Sequence, residues 1–132
     1  MNKKLNMTLS AVLATIVLSG CGGEVKKRYH NSGNIKTAIT YSEDLKDGLS
    51  KEYYENGTLK IESNYNDGVL DGSYKAYHPN GKLKLELDYE EGSKEGISNE
   101  YDDKGQLILS NTYKDGQNIN EVESDESEIG AD

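Results

Sequence analysis

The sequence predicts an all-β protein, an elongated antiparallel meander of four 24-residue β-hairpin units that follows an N-terminal signal helix. Three observations predict it. Tyr29, Tyr53, Tyr77 and Tyr101 recur every 24 residues, with Gly33, Gly57, Gly81 and Gly105 four places on. Tyr41, Tyr65, Tyr89 and Tyr113 form a second ladder in the same register. Between the ladders, apolar and polar residues alternate with the period of two that marks a half-buried strand. A fixed period of this length signals a repeat array, in which each unit buries its apolar residues against its neighbours.

The first element is the leader. Lys3 and Lys4 precede an apolar run from Leu9 to Leu18, shorter than the ~20 residues a membrane span needs but suited to the core of a secretory signal. The run ends in Leu18-Ser19-Gly20-Cys21, which resembles the lipobox of bacterial lipoproteins, where the cysteine thiol receives diacylglycerol. Cys21 is the only cysteine, and a lone thiol in an exported chain is a liability that acylation removes. The expectation is a cleaved signal peptide over 1–20, a lipidated Cys21 and a tether over 21–23. The chain is then anchored on the non-cytoplasmic side of a membrane, the outer membrane in a Gram-negative cell.

Loss of the leader removes Lys3 and Lys4 and no acid, leaving 24 acids against 13 bases, a net charge of −11. Such a surface is repelled by nucleic acid and by anionic headgroups, so the lipid must supply the attachment. The charge favours a protein partner with a basic surface.

The repeats occupy 24–47, 48–71, 72–95 and 96–119, the last three opening on Gly48, Gly72 and Gly96. In the third, Gly72 to Tyr77 reads as a strand and His78-Pro79-Asn80-Gly81 as a turn. Pro79 presets φ, and Gly81 takes the left-handed conformation that closes a three-residue hairpin loop with a bulge. With His78 and Lys82 flanking that loop, Tyr77 pairs with Leu83, and the period places Tyr29 with Ile35, Tyr53 with Leu59 and Tyr101 with Leu107. The return strand alternates Leu83, Leu85, Leu87 and Tyr89 on one face with Lys84, Glu86 and Asp88 on the other. A sheet with one tyrosine-and-leucine face and one charged face is therefore expected. The link from Asn66 to Gly72 is turn-rich but its type stays open: a two-residue turn at Asp67-Gly68 breaks the face parity unless a bulge at Gly72 restores it. Residues 120–132 contain acids and no base, and read as a solvated, disordered tail.

At Gly72-Ser-Tyr-Lys-Ala-Tyr-His-Pro-Asn-Gly-Lys-Leu and Gly48-Leu-Ser-Lys-Glu-Tyr-Tyr-Glu-Asn-Gly-Thr-Leu the chain resembles the MORN repeat in its bacterial variant form. The resemblance covers 24–119. Bacterial chains of this kind resemble YwqK-type proteins labelled antitoxins of toxin–antitoxin systems, which implies protein binding and carries no catalytic residues. MORN repeats also accompany phosphatidylinositol phosphate kinase and lysine methyltransferase domains, but no stretch remains here for a second domain, and no Gly-rich phosphate loop with its lysine appears.

Candidate chemistry is sparse. His30 and His78 stand at equivalent turn positions two units apart, roughly 19 Å at ~4.8 Å per strand, too far to share a metal. Tyr54 and Asp102 replace them in the other units, so the position reads as a tolerant, exposed turn residue. Glu90-Glu91 and Asp102-Asp103 fall in solvated turns rather than in a catalytic pair. The acidic turns at Asp67-Gly68, Asp71-Gly72 and Asp115-Gly116 each offer fewer acids than a calcium site needs. The tyrosine ladders pack the array, and any part left open is an apolar strip suited to a partner. The sequence thus points to a non-catalytic protein-interaction module at the cell envelope, with no metal or cofactor. An antitoxin or immunity protein that neutralises a cognate toxin is the alternative.

Overall fold

The computed structural model describes residues 15–16 and 23–120. Cys21, the acidic residues from Glu121 onward and the expected signal helix lie outside the described residues, apart from Thr15 and Ile16. The strands are β1 (Thr15–Ile16), β2 (Glu24–Tyr29), β3 (Ile35–Ser42), β4 (Leu45–Tyr53), β5 (Leu59–Asn66), β6 (Val69–Tyr77), β7 (Leu83–Glu90), β8 (Ser93–Tyr101), β9 (Leu107–Lys114) and β10 (Gln117–Asn118). They form one antiparallel sheet in chain order, an open meander with no helix among the described residues. β4, β6 and β8 begin 24 residues apart, as do β3, β5, β7 and β9.

The hairpin loops form as their residues dictate. In the third unit His78 N–H donates to Lys82 O at 2.8 Å and Gly81 N–H to His78 O at 2.8 Å. Gly81 holds φ 87°, open to glycine at no steric cost. The register pairs Tyr77 with Leu83, and Tyr29 with Ile35, Tyr53 with Leu59 and Tyr101 with Leu107. The connection that the sequence leaves open is a two-residue turn with both central residues at positive φ, Asp67 at 46° and Gly68 at 85°, a type I′ geometry. A bulge follows it: Tyr65 pairs with Leu70 but Ser63 with Tyr74, and Gly72, at φ 98°, sits in the extra stretch. Two surplus residues on β6 preserve the alternation of faces.

The single tyrosine-and-leucine face does not form. Tyr77 pairs with Leu83 and Ala76 with Leu85, so Lys84 is an extra residue, and Leu83 and Leu85 stand opposite neighbouring residues of β6 that face opposite ways. Lys36, Lys60 and Ile108 are the same extra residue in the other units. One bulged residue per hairpin sends the two tyrosine ladders to opposite faces. Face one carries Tyr41, Tyr65, Tyr89 and Tyr113 with Leu85 and Leu87. Face two carries Tyr29, Tyr53, Tyr77 and Tyr101 with Leu83.

The core is correspondingly thin. Only Leu87, Ser50 and Ser63 are buried among the described residues, and all three lie in one central row of face one, which the register runs through Ile39, Ser50, Ser63, Tyr74 and Leu87. Tyr74 packs edge-on to Tyr89 with ring centroids 5.9 Å apart. The other described residues are half-covered by adjacent strands or exposed, the pattern of an array whose stability resides in neighbour contacts.

Candidate functional site

The surfaces available for recognition are two sheet faces, two rows of turns and an outer edge. On the hairpin side, the turns are fastened unit to unit. His30 Nε2 lies 3.0 Å from Tyr53 O, Tyr54 Oη donates to Tyr77 O at 2.8 Å, and His78 Nε2 lies 2.9 Å from Tyr101 O. A carbonyl only accepts, so each imidazole carries its proton on Nε2. The expectation of an exposed, tolerant turn residue is corrected here: the position is half-buried and staples one unit to the next. Asp102 cannot donate, and its Oδ1 instead accepts from Lys104 N–H at 2.9 Å and Gln106 N–H at 2.8 Å in its own loop. Asn56 and Asn80 form a parallel row, each Nδ2 donating to the next turn, at Pro79 O and Asp103 O.

Face one is a row of aromatic rings interleaved with cations. Lys46 Nζ sits 4.5 Å from the Tyr65 ring centroid, Lys94 Nζ 4.8 Å from Tyr113 and Lys26 Nζ 4.7 Å from Tyr41. Such contacts at exposed sites are worth about 0.5–1 kcal/mol each and hold lysine stems flat over the tyrosines. Burial pushes the Tyr74 hydroxyl above its ordinary pKa, with Tyr89, Glu52 and Tyr65 adding to it.

Face two carries a cross-strand charge row in which Lys51 pairs with Glu62, Glu62 with Lys75, Lys75 with Glu86 and Glu86 with Asn99. Lys51 Nζ and Glu62 Oε2 are 3.1 Å apart, and this contact holds the lysine above its usual pKa despite partial desolvation. At this exposure the pair contributes under about 1 kcal/mol, so the row specifies register more than it stabilises. Tyr101 Oη donates to Glu86 Oε1 at 2.7 Å, which raises the tyrosine pKa, and Asn99 Nδ2 reaches the same oxygen at 3.4 Å. Beside them an open, polar groove of about 360 Å³ runs between Ser73, Lys75, Glu86, Asp88, Ile97 and Asn99.

Of the residues singled out by sequence, the loop glycines Gly33, Gly57, Gly81 and Gly105 all hold positive φ in the hairpin loops. The tyrosines divide between the faces, and Glu90, Glu91 and Asp103 are exposed. No group of three or more His, Cys, Asp or Glu is placed to hold a metal among the described residues. The sequence places a bulge in the hairpin loop at Gly81, but sequence reasoning missed the further extra residue on the return strand. Its signal was present, because lysine stands at that position in three units, at Lys36, Lys60 and Lys84. It also missed the exposed apolar end of the array, where Leu107, Ile108 and Leu109 follow one another on β9. No curated protein and no solved structure matches the chain. Two segments, 46–67 and 70–91, match the family described as MORN repeat variant, their starts one 24-residue period apart on β4 and β6.

Proposed function

We propose that the chain is a non-catalytic protein-interaction module of the cell envelope, held on the non-cytoplasmic side of a membrane through a diacylated Cys21. The observation that carries this reading is the architecture: one sheet whose two faces both meet solvent, built from units that include two MORN-variant matches. The partner is a protein with a basic patch, bound across the sheet and turn edges of units two and three. The mature charge of −11 supports this, and units two and three are the ones on which the MORN-variant matches lie. A crosslinking pull-down from membranes identifies the partner. Surface plasmon resonance then measures its association, expected to slow as salt rises and when the acidic residues beyond Gly116 are removed. An association rate indifferent to both refutes the electrostatic part of the proposal. Cys21→Ser is expected to abolish labelling by a fatty-acid analogue, and continued labelling refutes the anchor. The antitoxin reading rests on the resemblance at Gly48 to Leu59 and Gly72 to Leu83, and it requires that this chain rescue growth arrest caused by one cognate toxin.

A further inference from the structure

β9 has an outer edge that is half closed. β10 pairs with it at Lys114 and Tyr113. Beyond that, Asn120 Oδ1 accepts from Thr112 N–H at 2.8 Å, and Asn120 Nδ2 donates to Ser110 O at 3.0 Å. Asn120 stands one period after Gly96, in the place of Gly48 and Gly72, and its side-chain amide supplies the donor and acceptor that the peptide groups of a following strand would supply. Upstream of Ser110 no further strand pairs with this edge among the described residues, and Leu107, Ile108 and Leu109 are 56 %, 60 % and 48 % exposed. A bare apolar edge is a template for another strand.

We infer that this edge accepts β2 of a second copy of the chain, head to tail, with Asn120 as the gate that keeps the association weak. The array itself supplies the register. β3 meets β4 with Thr37 opposite Glu52 and Ala38 opposite Lys51. Carried forward by the repeat, the same geometry sets Leu109 opposite Arg28 of the second copy and Ser110 opposite its Lys27, and brings its exposed Tyr29 beside Ile108. β1 covers only Val25 and Lys26 of β2, so the stretch that this register uses is clear of it.

Charge selects the same arrangement. Residues 25–42 hold Lys26, Lys27, Arg28 and Lys36 and no acid. Residues 95–115 hold Glu95, Glu100, Asp102, Asp103 and Asp115 against Lys104 and Lys114. Pairing β9 with β9 of another copy would bring the two acidic ends together, whereas β9 with β2 joins acid to base. The junction lacks one contact that internal junctions have. Asp102 stands where His30, Tyr54 and His78 donate to the next unit's tyrosine carbonyl, and a carboxylate has no proton to give there. The association is therefore reversible, and being heterologous it extends as an open series rather than closing as a dimer.

The test is a disulfide cross-link in the full chain, solubilised in detergent, with Cys21→Ser to remove the native thiol and Arg28→Cys with Leu109→Cys in the same chain. Within one copy these positions are seven strand spacings apart, ~34 Å at ~4.8 Å each, and a disulfide needs Cα atoms within ~7 Å, so any bond between them joins two copies. A ladder of dimers, trimers and longer species under mild oxidation supports the inference. It is expected to shrink several-fold as salt rises toward 1 M, where the Debye length falls to ~3 Å. It is also expected to shrink with Lys27→Glu and to lengthen with Asn120→Gly, circular dichroism melts showing whether each variant keeps its fold. Dimers formed equally by Leu109→Cys alone would show β9 pairing with β9 and overturn the register. Absence of the ladder in folded protein, with Asn120 or with glycine there, would overturn the inference altogether.

Discussion

Leu87→Ala probes the one apolar residue that is buried among the described residues. Leu87 is 5 % exposed, so nearly all of its contact with neighbours is lost when Cγ and both Cδ atoms are removed. At ~0.8 kcal/mol per buried carbon this is about 2–2.5 kcal/mol. Face one is open to water, which removes the extra penalty that a sealed cavity adds in a closed core. Leu87 lies opposite Tyr74, so loosening the edge-on Tyr74–Tyr89 pair raises the total to about 3 kcal/mol. That is a large share of the ~5–15 kcal/mol that a domain possesses, and in a linear array it falls first on the third unit and its junction with the fourth. Urea melts followed by amide exchange read both quantities. The matched control is Leu109→Ala, whose side chain is 48 % exposed and whose loss is expected to cost about half as much. Equal costs for the two variants, or a Leu87→Ala cost under about 1 kcal/mol, would refute the assignment of the core to this row.

Deletion of Lys84 is expected to change stability by less than about 1 kcal/mol, because it heals the bulge while the paired residues of β6 and β7 keep their partners; a large loss in a thermal melt would show that the bulge is required. Tyr77→Ala and Leu83→Ala should be non-additive by ~0.2–1 kcal/mol, since the two residues face each other across the hairpin, and strict additivity in denaturant melts of the double mutant would contradict the pairing. His78→Ala should cost about 1 kcal/mol by removing the staple to Tyr101 O, with faster amide exchange confined to the fourth unit; unchanged exchange there would mean that water replaces the imidazole without loss. Lys51, Tyr74 and Tyr101 all have folded-state pKa values above their ordinary ones, so the native state holds these protons more tightly than the unfolded chain. Their stabilisation is fully present below pH ~10 and is lost as pH rises through the raised values, so the melting temperature should fall more steeply above pH ~10 than in Tyr74→Leu, Tyr101→Phe protein; identical slopes would remove these groups from the account.

The sequence by itself determined the repeat. The 24-residue period, the three-residue loops, the pairing of Tyr77 with Leu83 and the all-β class follow from local chemistry: a proline that presets φ, a glycine free to take positive φ, and apolar alternation at the strand period. The same local reasoning left the type of the link between units open, noting only that a two-residue turn at Asp67-Gly68 would call for a bulge at Gly72. Tertiary structure made the choice: Tyr65 pairs with Leu70 but Ser63 with Tyr74, so β6 takes up two surplus residues around Gly72, an even number that leaves the faces in step. Tertiary structure also decided which way each tyrosine faces. A single extra residue such as Lys84 reverses the parity of everything on one side of it, and parity along one strand is set by hydrogen bonds to another. The roles of His30, His78 and Asn120 were hidden for the same reason. Each side chain bonds a backbone group on another strand, and which strand lies within reach is known only once the sheet has assembled.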